Sequence, residues 1–284
     1  MAHAAPHRPL AALGLLLGAC SLGGCVVVGG TLHEQSEVVT LTEAAGSTLV
    51  VDSSVGDITL RADPSASEIH AQARMIGKGR SEAEAADALA EIVPTLDSVA
   101  GEPGTVRASA DHPASSSRRN YQVDWVITGP PGMRVRVQAA VGDILVEGFE
   151  GPAEIRADVG DVVARDILNG LTVTADVGDI EARGRAPMDI RVDVGEIDAR
   201  VLAGPPAPLA FASNVGDVSV RLPGDCVGQL DASVNTGDLS VDLAPAALTA
   251  TRVTDERFRG VLNAGGPAIT LSSNVGDVTV SRAD

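Results

Sequence analysis

The stretch Asp176-Val177-Gly178-Asp179-Ile180 decides the fold, because close copies of it recur along the chain. The copies centre on eight glycines, which are Gly56, Gly142, Gly160, Gly178, Gly195, Gly216, Gly237 and Gly276. From the second to the seventh glycine the spacings are 18, 18, 17, 21 and 21 residues, and the last gap is 39. Such a period is typical of one coil of a solenoid, in which each unit buries its apolar face only against its neighbours. We expect the 39-residue gap to contain one degenerate copy at about residues 244–260.

Apolar and polar residues alternate on both sides of each glycine. Before Gly178, the residues Leu171, Val173 and Ala175 alternate with threonines, and the other copies repeat this pattern. A period of two with many β-branched residues predicts strands that bury one face. The sequence therefore predicts an all-β, parallel β-helix-like solenoid with coils of about 18–21 residues. An array of hairpins forming an antiparallel sandwich is the alternative.

The corner between the two strands of a unit has its own chemistry. An Asp or Asn followed by Val, Gly and Asp fits a type II turn, whose third position needs a positive φ that glycine adopts without steric cost. A β-branched Val before the glycine argues against a two-residue hairpin, which favours Asn-Gly or Asp-Gly. We therefore interpret each motif as a corner joining two walls of the solenoid.

Stacked corners would place acidic side chains in lines along the solenoid. One line would hold Asp158, Asp176, Asp193, Asn214 and Asn235, and the other Asp161, Asp179, Glu196, Asp217 and Asp238. The simpler expectation is that each side chain caps backbone N–H groups in its own turn. The alternative is Ca²⁺ binding, because calcium takes six to eight oxygen ligands. Its weak candidate ligands are Asp161, Asp179, Asp217 and Asp238.

The beginning of the chain predicts an export signal. An apolar run from Leu10 to Leu17 follows a single charged residue, and two successive stretches, Leu17-Gly18-Ala19-Cys20 and Leu22-Gly23-Gly24-Cys25, resemble bacterial lipoboxes. A run this short suits a signal-peptide core and not a membrane span. The resemblance implies a lipoprotein signal over residues 1–24 and acylation of Cys25, with Cys20 as the alternative. Residues 25–46 are then expected to form a tether.

The rest of the chain, residues 47–284, is predicted to be a single solenoid domain. Residues 47–132 are irregular and contain a helix at about 81–92. Ser81 and Glu84 form a capping box at its start, and Pro94 ends it. Residues 133–284 carry the regular Gly-Asp coils. No capping element follows the last copy, so we expect an open edge there unless a partner or the irregular part covers it.

The order of these parts resembles the bacterial "putative adhesin" family of β-strand-repeat domains of unknown function. The resemblance is carried by the segment from Arg74 to Gly79 with the acidic helix after it, and by the run Val126-Ile127-Thr128-Gly129-Pro130-Pro131-Gly132-Met133 before the repeats. The closing Phe258-Arg259-Gly260-Val261-Leu262-Asn263 and Gly265-Gly266-Pro267 also match, so about residues 32–283 are covered. The resemblance implies a parallel β-helix-like fold and a cell-envelope setting, and it brings no catalytic residues.

The composition limits the kinds of partner that we expect the protein to bind. The net charge is −17 with one lysine, Lys78, which argues against nucleic acid and against charge-driven binding to anionic lipid. Aromatic residues are only 2%, too few for a stacking platform. The histidines outside the predicted signal show no metal-ligand spacing such as i, i+4, and no motif marks a nucleophile, so the sequence indicates no cofactor and no enzyme.

These features together predict a non-catalytic, lipid-anchored cell-envelope protein. Its adhesin-like repeat scaffold would touch the membrane through the lipid and bind an unidentified envelope or surface ligand. A Ca²⁺-dependent binding module is the first alternative. A carbohydrate-active β-helix enzyme is the second, because parallel β-helices can host such sites although fold does not imply function.

Overall fold

The computed structural model describes residues 33–111, 121–243 and 248–283, and within them the chain forms two long sheets and one helix. We name the sheets wall A and wall B. Wall A contains β1 (His33–Ala44), β3 (Ile58–Ala62), β4 (Glu68–Gly79), β7 (Tyr121–Gly129), β9 (Ile144–Glu147), β11 (Val162–Ile167), β13 (Ile180–Gly184), β15 (Ile197–Val201), β17 (Val218–Leu222), β19 (Leu239–Asp242) and β23 (Val278–Arg282). Wall B contains β2 (Thr48–Val55), β5 (Val93–Ser98), β6 (Thr105–Asp111), β8 (Arg134–Val141), β10 (Ala153–Val159), β12 (Leu171–Val177), β14 (Met188–Val194), β16 (Leu209–Val215), β18 (Gly228–Thr236), β20 (Leu248–Val253), β21 (Arg257–Leu262) and β22 (Ala268–Val275).

Each repeat unit is a wall B strand, a glycine corner and a wall A strand. Successive units in the regular part pair in parallel and in register, so that Val159 lies beside Val177 and Val177 beside Val194. This parallel pairing confirms that the repeats stack as in a solenoid, and the hairpin array is wrong for them. Antiparallel pairing occurs at the two ends of the stack, where β1, β4 and β7 extend wall A, and β5 beside β6 and β20 beside β21 extend wall B.

The core lies between the walls and follows the predicted alternation. In wall B the central inward residues are large, as Ile155, Val173 and Ile190 illustrate, and all are at most 1% exposed. In the central strands β11, β13 and β15 of wall A, the inward residues after the corner are an Ile or Val followed by a small Ala, such as Ile180 and Ala182. Burial of these side chains is the main driving force holding the walls together, since each buried Val or Ile stabilises by about 1.5–3 kcal/mol.

The order of the units in space differs from their order in the sequence. The last unit, β22 and β23, lies between the unit of β16 and β17 and the unit of β18 and β19. The expected neighbour relation of Asn214 with Asn235 and of Asp217 with Asp238 is therefore wrong. The physical reason is that all three units carry compatible strands and corners, so the last one can pair in parallel on both sides.

The segment between the seventh and eighth glycines is not a degenerate coil. Its described residues form β20 and β21, which pair antiparallel with each other, and β21 also pairs antiparallel with β18. The hairpin extends wall B beyond β18, and wall A ends at the four-residue strand β19. The last sequence copy therefore lies inside the stack and not at its open edge.

The N-terminal part closes the other end. Helix α1 (Glu82–Ala90) packs on β4 and β1, and Gly77 and Gly79 admit it because a Cβ at either position would overlap the helix backbone. The expected tether over residues 25–46 is corrected in its described part, since His33–Ala44 is a strand paired with β4 over its full length. Residues 1–32, which include the predicted signal and both candidate lipidation cysteines, lie outside the described residues.

The helix start matches the prediction and its end does not. The Ser81 hydroxyl accepts a hydrogen bond from the Glu84 backbone N–H at 3.2 Å, and the Glu84 carboxylate accepts one from the Arg80 N–H at 2.8 Å. The helix ends at Ala90 with Glu91 as C-cap, before Pro94 is reached. Pro94 instead lies in β5 at the edge of wall B, where a strand tolerates a residue without an N–H donor.

Candidate functional site: the glycine and carboxylate corner

All eight motif glycines adopt the positive φ that the sequence predicts. Their φ angles run from 130° at Gly56 to 149° at Gly195, well above the value of about 80° that a type II turn has at its third residue. The corner is therefore not a type II turn. The reason lies in the stacking, because the N–H of Gly160 donates to the carbonyl of Val177 in the next unit and the N–H of Gly178 to that of Val194.

The same glycines are also required by close approach between units. A Cβ built on Gly178 would overlap the backbone carbonyl oxygen of Gly160, and one on Gly160 would overlap that of Gly142. The overlap recurs at Gly195, Gly216, Gly276 and Gly237 along the spatial order of the stack. Sequence reasoning found the φ requirement and missed this second one, because the contact joins units that are distant in the chain.

The acidic residue after each glycine forms a continuous ladder in the first half of the stack. The Asp179 backbone N–H donates to Asp161 Oδ1 at 2.9 Å, the Asp161 N–H to Asp143 Oδ1 at 2.9 Å, and the Glu196 N–H to Asp179 Oδ1 at 2.8 Å. Asp143 N–H and Asp57 N–H continue the ladder to Asp57 and Asp124. The carboxylates therefore cap backbone donors, as predicted, but in the next unit and not in their own turn.

A second ladder covers the far units in their spatial order. The Asp277 N–H donates to Asp217 Oδ1 at 2.7 Å, and the Asp238 N–H donates to Asp277 Oδ1 at 2.8 Å. The asparagines before the corner repeat that order, since Asn274 Nδ2 donates to Asn214 Oδ1 at 2.7 Å and Asn235 Nδ2 to Asn274 Oδ1 at 2.9 Å. The carboxylate ladder and the asparagine ladder therefore both show that the last unit of the sequence lies between its two neighbours.

The calcium alternative gains no ligand group from this arrangement. Within the described ranges, no set of three or more His, Cys, Asp or Glu side chains is placed to hold a metal ion. Asp161 and Asp179 are neighbours, whereas Asp277 separates Asp217 from Asp238. Calcium binding by these four residues stays a prediction.

Replacing Asp161 separates capping from ligation. We expect Asp161→Asn to change the free energy of unfolding by less than about 0.5 kcal/mol, because the amide oxygen still accepts the Asp179 N–H. Asp161→Ala removes that acceptor and should cost about 1 kcal/mol. Urea unfolding with and without added Ca²⁺ checks both. An Asn variant as unstable as the Ala variant would favour ligation. Ligation would also be favoured if added Ca²⁺ stabilised the wild-type protein but did not stabilise the Asn variant.

Charged side chains on the outer faces of the walls form ion pairs between neighbouring strands. Arg165 donates from Nε and one terminal nitrogen to Glu181 at 3.1 and 3.0 Å, and Arg221 pairs with Asp198 at 2.7 Å. Hydrogen bonds from Arg257, and also from Arg259, lower the pKa of Asp231 below its ordinary value. Each of these carboxylates therefore has a positively charged partner on a neighbouring strand.

A groove on wall B has a volume of about 350 Å³. Its two carboxylates, Glu154 and Asp189, are each held by an arginine, with Arg136 Nε at 3.1 Å from Glu154 and Arg191 Nε at 2.9 Å from Asp189. The two carboxylates of the groove therefore do not form a pair that is free of arginine partners. Catalysis at a carbohydrate site stays an untested prediction.

One feature of the corner was missed by sequence reasoning altogether. A valine precedes seven of the eight motif glycines, and in six units this valine is close to half exposed. These residues, together with the less exposed Val55, we name the valine stripe: Val55, Val141, Val159, Val177, Val194, Val215 and Val275. Alternation marks each valine as a strand end but gives no signal that its side chain points away from the core.

The fold and the corner define a class, a parallel β-solenoid with two walls built on stacked glycine corners. The chain belongs to the Toastrack DUF4097 family, whose model matches residues 124–281, from β7 to β23. This match confirms the resemblance found in the sequence. No curated protein matches the chain.

The solved structures that resemble this chain at low identity include the following three. One is described as "a putative cell adhesion protein" from Clostridium sporogenes ATCC 15579, with 10% identity, a TM-score of 0.36, and coverage of 89% of this chain and 100% of that chain. Another is "a putative adhesin" from Bacteroides fragilis NCTC 9343, with 10% identity, a TM-score of 0.33, and coverage of 86% and 97%. The third is a "putative lipid binding protein" from Parabacteroides distasonis ATCC 8503, with 8% identity, a TM-score of 0.29, and coverage of 88% and 97%.

Proposed function

We propose that this protein is a non-catalytic, adhesin-like repeat scaffold of the bacterial cell envelope that is anchored by lipid and binds an envelope or surface component through its outer faces. The observation that carries the proposal is the in-register stack. Parallel units repeat outward side chains about every 4.8 Å along each wall, which builds long, regular surfaces suited to a repetitive ligand. Family membership is compatible with this role, since the family is one of unknown function.

The rigidity of the surfaces supports display rather than induced closure. Each corner is joined to the next by backbone hydrogen bonds from the glycine N–H and by hydrogen bonds from backbone N–H groups to the carboxylates, and core residues such as Val173 and Ile190 are fully buried. A binding surface of this kind is already ordered before the ligand arrives, so binding costs little conformational entropy. In the part of the chain that the structure describes, no helix is both long and apolar enough to cross a membrane.

The lipid anchor rests on the sequence of residues 1–25 and is tested directly. In a bacterial host that expresses the full chain, we expect radiolabelled palmitate to enter the protein and Cys25→Ala to abolish the labelling. Cys20→Ala should label normally and is the matched control. Labelling lost only with Cys20→Ala would assign the anchor to Cys20. Absence of label in the wild-type chain would contradict the proposed lipid anchor.

Binding is tested apart from anchoring with the Cys20→Ala/Cys25→Ala chain, which cannot be acylated. Purified protein is mixed with envelope fragments isolated from the same host and centrifuged. We expect the protein to sediment with the fragments in a saturable manner. Protein that stays in the supernatant at every fragment concentration would contradict the proposed binding role, whatever the outcome of the labelling.

A further inference from the structure

The valine stripe is a continuous apolar line on an otherwise polar rim. Six of its valines are between 44% and 50% exposed, namely Val141, Val159, Val177, Val194, Val215 and Val275. They stand in register, because each one is paired with the valine of the neighbouring unit. Seven units separated by about 4.8 Å give the stripe a length of about 29 Å.

The fold does not need an apolar residue at this place. Thr236 occupies the equivalent position in β18 and pairs in register with Val275, so a polar side chain of similar shape is accommodated. Keeping apolar surface in water costs about 25 cal/mol per Å². Contiguous apolar patches rimmed by polar residues are typical of interaction sites.

The borders of the stripe specify the charge of its occupant. On one side runs the line of exposed acidic residues Asp57, Asp143, Asp161, Asp179, Glu196, Asp217, Asp277 and Asp238. On the other side Asp158, Asp176 and Asp193 flank the three central valines. Arg156 lies within ion-pair distance of Asp158 and of Asp176, at 3.5 and 3.7 Å. The centre of the stripe is therefore apolar with carboxylates on both borders.

The charge also disfavours two other occupants. A second copy of this chain would bring one acidic border against another, and the net charge of −17 adds long-range repulsion. An anionic membrane surface is repelled in the same way. A basic partner gains on both counts, since opposite charges steer association and the apolar surface supplies affinity.

The spacing of the units favours a helix over an extended segment. An α-helix advances 5.4 Å per turn, close to the 4.8 Å between units, so one apolar side chain per turn can meet about one valine per unit. Same-face residues of an extended strand are about 6.6 Å apart and lose that correspondence within a few units. A helix of about 19 residues spans the length of the stripe.

We propose that the valine stripe docks a basic amphipathic helix, whose apolar seam lies on Val159, Val177 and Val194 and whose Lys or Arg side chains meet the carboxylates on either border. The inference deepens the proposed binding role, on which it rests, by naming the chemistry of a partner. Burial of the valines supplies the affinity, and the carboxylate borders set the orientation and the salt dependence.

The test uses the purified Cys20→Ala/Cys25→Ala chain and a fluorescent synthetic helix of about 19 residues with a leucine seam bordered by lysines. Fluorescence anisotropy gives the affinity. Two control peptides replace the leucines by glutamine or the lysines by glutamate. We expect the first control to bind at least about tenfold more weakly and the second not to bind, because each lacks one half of the recognition.

Matched variants locate the contact. Val159→Thr/Val177→Thr/Val194→Thr should weaken binding of the basic helix at least about tenfold. Val93→Thr/Val126→Thr/Val253→Thr, at three exposed valines outside the stripe, should bind as wild type. Asp161→Asn/Asp179→Asn should weaken binding and flatten its salt dependence. Melting temperatures of all variants verify that each is folded.

Three outcomes would overturn the inference. The stripe variant binding as tightly as wild type would place the contact elsewhere, and an equal loss in the control variant would mean non-specific adsorption. A change in the sedimentation of the protein alone when the stripe valines are replaced would assign the stripe to contacts between copies. None of these depends on envelope fragments, so failure here is distinguishable from failure of the proposed function.

Discussion

Gly178→Ala is expected to lower the free energy of unfolding by more than about 3 kcal/mol, enough to unfold a large fraction of a marginally stable domain. Two causes combine at this position. The φ of 140° is a conformation that a residue with a Cβ adopts only under strain of about 1–3 kcal/mol. The new methyl group would also overlap the carbonyl oxygen of Gly160, so the two units must move apart and weaken their backbone ladder.

Three other glycines separate these causes. Gly132 has neither a positive φ nor a neighbour within 4 Å of an added Cβ, Gly101 has a positive φ of 86° and open space, and Gly151 has only the overlap, with Met133. Alanine should cost little at Gly132, about 1 kcal/mol at Gly101, and an intermediate amount at Gly151. Chemical denaturation measures all four. A Gly178→Ala variant no less stable than Gly132→Ala would contradict the stacked corner.

Ending the chain after Pro267 is expected to destroy the order of the whole far end of the stack. The deleted residues 268–284 contain β22 and β23, which pair on one side with β16 and β17 and on the other with β18 and β19. Their removal leaves a gap between two units, which exposes buried residues such as Phe211 and Leu230. Hydrogen exchange should show lost amide protection in β16 to β21.

The middle of the stack provides an internal control for this deletion. Strands β8 to β13 pair with neither β22 nor β23, so their amides should keep most of their protection. Solenoid stability is close to a sum of units and neighbour interfaces, which makes such a local loss possible. If β16 and β18 stayed protected and only the deleted residues were missing, the last unit would lie at the end of the stack and not inside it.

The walls and the core could be predicted from the sequence because their signals are local. Alternation around Gly178 identifies Val173 and Ile180 as buried, and both are at most 1% exposed. The capping pair of Ser81 and Glu84 likewise acts within one helical turn. Features that depend on neighbours within a few residues are written into the pattern of the chain.

The order of the units and the details of the corner could not be predicted because they depend on partners far away in the chain. Nothing near Asn214 indicates whether Asn235 or Asn274 is its neighbour, since both precede equivalent corners. The partner of the Asp143 N–H is Asp57, 86 residues earlier. The exposure of the valine stripe could not be predicted for a related reason, because periodicity alone does not distinguish a strand end that faces the core from one that faces solvent.

Disulfide mapping at Asn214, Asn235 and Asn274 tests the central claim, which is that the units stack in parallel and that the last unit of the sequence lies inside the stack. With Cys20, Cys25 and Cys226 replaced by serine, paired cysteines are introduced at Asn214 and Asn274, at Asn274 and Asn235, or at Asn214 and Asn235. Neighbouring units are about 4.8 Å apart, within the Cα separation that a disulfide allows, and units two steps apart are beyond it. We predict bonds in the first two variants and none in the third. A bond between positions 214 and 235 with none to position 274 would contradict the stack described for this protein.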